Sequence, residues 1–121
     1  MKKWFLILGA LIVATGAAIF VVINRETEAN GLKTEIQISA SGFSPSTVVV
    51  KAGTQIVWKN VDTAPHSVAS NPYPSNSSVK DLRSQAILPN GVYSYTTTKA
   101  GTINYHDNTQ PTHNASIKVE K

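Results

Sequence analysis

Beyond Lys33 the apolar positions recur every second residue rather than every three or four. Ile36 and Ile38 alternate with Glu35, Gln37 and Ser39, and Val48 and Val50 flank Val49. Ile56 and Trp58 share one face with Lys59 on the other. Tyr93 with Tyr95, Ile103 with Tyr105, and Ile117 with Val119 repeat the spacing. Side chains of a strand alternate between its two faces, so each run predicts a strand with one buried side. Turn pairs punctuate the runs: Ser41-Gly42, Ala52-Gly53, Asn90-Gly91 and Ala100-Gly101. Regular spacing of this kind predicts an all-β sandwich or barrel. One stretch breaks it. Residues 71–89 are rich in Pro, Ser and Asn and too long for a simple hairpin loop. Within it, Ser78-x-x-Asp81 suits the cap of a short helical turn ending near Gln85.

The N-terminal pattern is different. Lys2 and Lys3 precede an uncharged apolar run from Trp4 to Ile23. At a helical rise of about 1.5 Å per residue this run reaches roughly 30 Å, the thickness of a bilayer core. The expectation is one hydrophobic helix over residues 1–23, acting as an uncleaved anchor or as a signal segment. Small residues at Thr15-Gly16-Ala17 leave cleavage open, in which case residues 1–17 are lost and the domain is secreted. Lysines before the run, and Arg25, Glu26 and Glu28 after it, keep the N-terminus in the cytoplasm. Either reading puts the rest of the chain on the extracytoplasmic side, periplasmic or extracellular. Residues 24–33 read as a polar linker and residues 34–121 as one domain, a normal size for a single β-sandwich.

Composition removes several chemistries. The chain has 121 residues and no cysteine, which excludes disulfides, zinc–cysteine sites, iron–sulfur clusters, cysteine nucleophiles and a lipoprotein anchor. The net charge is +4. From Asn30 onward, eight Lys and Arg stand against five Asp and Glu, scattered singly. No basic run interleaves with aromatics, so nucleic acid is not an expected partner. Asn76-Ser77-Ser78 and Asn114-Ala115-Ser116 match a glycosylation tripeptide too short to carry weight.

One long pattern is more specific: Phe43-x-Pro45-x-x-Val48-x-Val50-x-x-Gly53-x-x-Ile56-x-Trp58-x-Asn60-x-Asp62-x-x-x-His66-Ser67-Val68. It closely resembles the cupredoxin family, and Gly91-x-Tyr93-x-Tyr95 followed by Ala100-Gly101-Thr102-Ile103-x-Tyr105 extends the likeness. The resemblance implies a Greek-key cupredoxin-like β-sandwich or barrel. It also implies that His66 is the first ligand of a metal site at one pole.

The second ligand loop departs from the plastocyanin and amicyanin pattern of cysteine, histidine and methionine. Aligned without gaps, Asp107 takes the cysteine place, Gln110 the histidine place and His113 the methionine place. A blue copper site needs a thiolate, so the resemblance here implies a site of His66, Asp107 and His113. Soft ligands have become a carboxylate and an imidazole, which suit Cu(II), Zn(II) or Ni(II) better than Cu(I). Strand parity turns Asp107 inward with Ile103 and Tyr105 and turns His106 away. Gln110 reads as a surface amide or a weak extra ligand. Trp58, Tyr93, Tyr95 and Tyr105 read as packing groups. The expected function is a tethered domain holding one divalent ion, copper first, with binding that weakens below about pH 6 as the imidazoles protonate. The competing expectation is a metal-free interaction module of the same fold, in which His66, Asp107 and His113 do not converge; without a metal, Asp107 either pairs with a protonated His66 or His113 or sits in water. No enzymatic motif stands out, and no enzyme activity is expected. The expected partners are the metal ion, the membrane through residues 4–23, and a protein that the sequence does not identify.

Overall fold

The computed structural model describes residues 32–121; the expected hydrophobic helix and most of the linker lie outside the described residues. Eight strands form: β1 (Lys33–Ser39), β2 (Gly42–Ser44), β3 (Thr47–Lys51), β4 (Gln55–Asn60), β5 (Ala69–Ser70), β6 (Val92–Thr96), β7 (Gly101–Asp107) and β8 (Gln110–Glu120). No helix occurs among the described residues. They build two four-stranded sheets, in the order β2-β1-β4-β6 and β3-β8-β7-β5. Each sheet is mixed, because β1 pairs with β4 and β3 with β8 in parallel. A parallel pair cannot be closed by a hairpin, so the chain crosses between sheets, as a sandwich requires.

Period two becomes burial. Ile36, Ile38, Ile56, Trp58, Val48, Val50, Ile117 and Val119 all turn into the space between the sheets. Their neighbours Glu35, Gln37, Val49 and Lys118 face out. An aromatic chain crosses the core: Phe43 and Tyr105 meet edge-on at 4.8 Å, Tyr105 and Trp58 edge-on at 5.4 Å, and Trp58 and Tyr93 lie tilted to each other at 5.6 Å. Edge-to-face rings at such distances add about 0.5–1.5 kcal/mol per pair beyond area burial.

The long connection is neither a helix nor a loose loop. The cap expected at Ser78 makes only a turn, with the Leu82 N–H on the Val79 carbonyl. The segment is instead tied to the strand beside it. Ser70 Oγ donates to the Val79 carbonyl and accepts the Val79 N–H, both at 2.9 Å, and the Val68 N–H meets Ser84 Oγ at 2.8 Å. Leu82 and Ile87 are thereby pressed into the core. Backbone bonds in both directions between His66 and Ile87 finish the attachment and hold the His66 main chain in place.

Candidate functional site

His66 sits in the connection after β4, and Asn60 shapes that connection. The Asn60 side chain is fully buried. Its amide donates to the Ala64 carbonyl at 2.9 Å and the Ile87 carbonyl at 2.8 Å, while its oxygen accepts the Asp62 N–H at 2.8 Å. A side chain that replaces main-chain partners in this way fixes a tight loop. The loop delivers His66 at 2 % exposure.

Asp107 ends β7, directly before the Asn108-Thr109 turn, and is 1 % exposed. The strand parity expected for it is what occurs. One carboxylate oxygen, Oδ1, accepts the Thr109 hydroxyl at 2.7 Å, the Thr109 N–H at 2.8 Å and the Ser67 N–H at 3.1 Å. The other, Oδ2, lies 2.5 Å from His66 Nδ1. The opposite edge of the same ring is also taken: His66 Nε2 lies 2.8 Å from Asp62 Oδ2. One imidazole is therefore held between two carboxylates.

The electrostatics follow from that placement. Burial works against a charged ring, but the bonds and charges of Asp62 and Asp107 outweigh it, and His66 titrates above its ordinary 6.5. Burial likewise works to raise Asp107. The Thr109 hydroxyl and N–H, the Ser67 N–H and His66 overcome it, and the carboxyl lies below its usual 3.8. Asp62 is also lowered, first by its bond to His66. All three groups favour their charged forms, an imidazolium between two carboxylates.

The remaining expected residues lie elsewhere. His113 is in β8, within a three-residue irregularity: His106 pairs with Asn114 but Asp107 pairs with Gln110. Its ring lies against Gly42, where an added Cβ would meet His113 Cγ at 3.6 Å. Among the described residues, the buried His113 Nδ1 has no hydrogen-bond partner. Gln110 is exposed. His106 faces away from His66, as its parity requires, but it is not a free surface group. It is buried, bonded to the side-chain amides of Asn71 at 2.6 Å and Asn108 at 2.8 Å, with the Tyr73 ring edge-on at 5.7 Å. Asp62 is the residue that sequence reasoning did not single out. The signal was its position four residues before His66 and two after Asn60, which caps the same loop.

A metal ion fits this arrangement poorly. Two ligands at about 2.0–2.1 Å from one ion, at angles of about 90–110°, are roughly 2.9–3.4 Å apart. His66 Nδ1 and Asp107 Oδ2 are closer than that, at hydrogen-bond contact. Asp62 lies on the opposite edge of the ring and points at no common centre with Asp107. Among the described residues, no group of three or more His, Asp or Glu side chains is placed to hold a metal ion.

Comparison with known proteins agrees with the fold. The family model for the cupredoxin-like domain matches residues 11–119. Amicyanin-alpha of Methylorubrum extorquens (strain ATCC 14718 / DSM 1338 / JCM 2805 / NCIMB 9133 / AM1) is 28% identical over 107 residues, 88% of each chain. A purple cupredoxin from Nitrosopumilus maritimus superposes with a TM-score of 0.65 at 19% identity, covering 72% of this chain and 99% of that one. The Cu(I) form of an amicyanin variant superposes with a TM-score of 0.65 at 26% identity, covering 73% and 82%. With two mixed sheets, a histidine delivered beside the end of β7 and a family match over nearly its whole length, this chain belongs to the cupredoxin-like domain family.

Proposed function

We propose that this chain is an extracytoplasmic cupredoxin-fold module that works by binding a partner rather than by carrying electrons on copper. The observation that carries this reading is the double use of His66. Both ring nitrogens are committed to carboxylates, so the group that would open a metal site instead closes it. A cation is needed near buried Asp107, since an unpaired buried carboxylate is costly. The imidazolium supplies that charge without a metal. The extracytoplasmic placement and the tether rest on the apolar run from Trp4 to Ile23 and its flanking charges.

A second reading has its own support. His113 Nδ1 is a buried nitrogen with no partner among the described residues, and His66 and Asp107 already meet at one pole. In that reading His66, Asp107 and His113 hold one divalent ion, copper first, in a non-blue site. Asp107 and His66 would have to separate, and His113 to turn toward them.

One experiment divides the two. The metal-stripped full chain receives one equivalent of Cu(II) at pH 7, followed by calorimetry and electron paramagnetic resonance. The metal-free reading expects weak, heterogeneous binding that His66→Ala leaves unchanged. A single stoichiometric signal with imidazole-nitrogen coupling, abolished by His66→Ala, would replace it with the second reading.

A further inference from the structure

Sheets with free edges recruit other strands unless the edge is guarded. Three of the four edge strands here are guarded or short. β2 has three residues and runs into Pro45, β5 has two residues, and β3 carries Lys51. The fourth, β6, has no such device. Its sequence is Val92-Tyr93-Ser94-Tyr95-Thr96, and no charged residue occurs from Ile87 to Thr98.

The register shows which of its backbone groups are free. Ile56 is opposite Tyr95 and Trp58 opposite Tyr93. The same ladder continues to the Asn60 N–H on the Gly91 carbonyl and the Thr97 N–H on the Thr54 carbonyl. The odd-numbered residues of β6 therefore spend their main-chain groups on β4. In an antiparallel ladder the alternate residues point theirs the other way. Those are Val92, Ser94 and Thr96, whose side chains are also exposed, and no turn or loop in the described residues takes their N–H or C=O groups.

We propose that β6 is a self-pairing edge, and that its partner is β6 of a second copy, antiparallel about a two-fold axis at Ser94. The edge is its own complement. About that axis, Ser94 faces Ser94 of the other copy and Val92 faces Thr96, each as a hydrogen-bonded pair that uses the groups left free. Tyr93 then faces Tyr95 across the inner side of the joined sheet, an aromatic cross-strand pair of the kind that stabilises sheets. A neutral edge gains nothing from a charged peptide and meets no repulsion from its own copy. The symmetry is closed, so pairing stops at two chains and does not run on into a fibre. This inference is independent of the metal question.

The chain has no cysteine, so one introduced thiol reports on one position. Hydrogen-bonded antiparallel residues have Cα atoms about 5.5 Å apart, within disulfide range. Val92 and its own counterpart would be separated by about 14 Å, four strand residues along the pair, and out of range. The test uses the full chain in nonionic detergent with Ser94→Cys, Val92→Cys and, on the opposite edge, Val49→Cys, each treated with diamide. The expected result is a Ser94→Cys dimer forming roughly tenfold faster than either control, as the distances require. In parallel, Ser94→Lys sets two ammonium groups opposite each other and should abolish the dimer in sedimentation, with the near-ultraviolet circular dichroism of the fold unchanged. Equal cross-linking at positions 92 and 94, cross-linking at 94 no faster than at 49, or a dimer indifferent to Ser94→Lys would overturn the proposal.

Discussion

Replacing Asp107 by Asn tests the central cluster with the least change in shape. Asn keeps an oxygen where Oδ1 accepts the Ser67 and Thr109 donors. What it loses is the charge and the bond from Oδ2 to His66. A hydrogen bond to a charged group contributes about 1.5–3 kcal/mol, and breaking a buried ion pair costs about 3–5 kcal/mol. His66 retains Asp62 and can release its proton, which places Asp107→Asn near the lower end, at about 2–3 kcal/mol. Asp107→Ala also strands the buried Ser67 N–H and should cost about 3–5 kcal/mol. For a domain of this size 1 kcal/mol moves the midpoint by about 4–8 °C, so the Asn variant should melt about 10–20 °C lower. The assay is thermal and urea unfolding of the full chain in detergent, followed by near-ultraviolet circular dichroism from pH 4 to 9. The gap should be widest between the usual carboxylate range and pH 6.5, and should narrow as His66 loses its proton at higher pH. A cost below about 0.5 kcal/mol at pH 6, or a gap constant across this range, would mean that Asp107 is solvated and the reasoning is wrong.

Two further outcomes follow from the same structure. The native protein should be most stable between about pH 4 and 6.5. His66 titrates above 6.5 when folded, so its contribution is complete below that value and is lost as pH rises through the folded value. Asp62 and Asp107 titrate below 3.8 when folded, so theirs is complete above that value and is lost as pH falls through the folded ones. Unfolding midpoints against pH should show both arms, and His66→Ala should flatten the alkaline one. Leu82→Ala should destabilise the domain by about 2–5 kcal/mol in urea unfolding, because Leu82 is fully buried although it lies in a connection between strands.

The alternation of apolar and polar residues was enough to find six of the strands, all but the two short strands β2 and β5, since a strand with one buried face writes its parity directly into the chain. It found β1 at Ile36 and Ile38, β4 at Ile56 and Trp58, and β8 at Ile117 and Val119. β5 was not legible, because it has two residues and exists only by pairing with Tyr105 and His106. Residues 71–89 misled for a related reason. Their local composition permits a helical turn, and what decides their path is Ser70 and Val68, which precede them and reach across to Val79 and Ser84.

The candidate site divides in the same way. Sequence by itself determined that no thiolate is available and gave the parity that turns Asp107 inward and His106 away, and the family resemblance implied that His66 and Asp107 belong at one pole. These are matters of composition, motif and parity, which are local properties. Only the tertiary structure decided what His66 does with its two nitrogens. Asp62 reaches one edge of the ring through the Asn60 loop, and Asp107 reaches the other from a strand of the opposite sheet. The resulting distance and charge state depend on the packing of two sheets, and no periodicity in the chain records them.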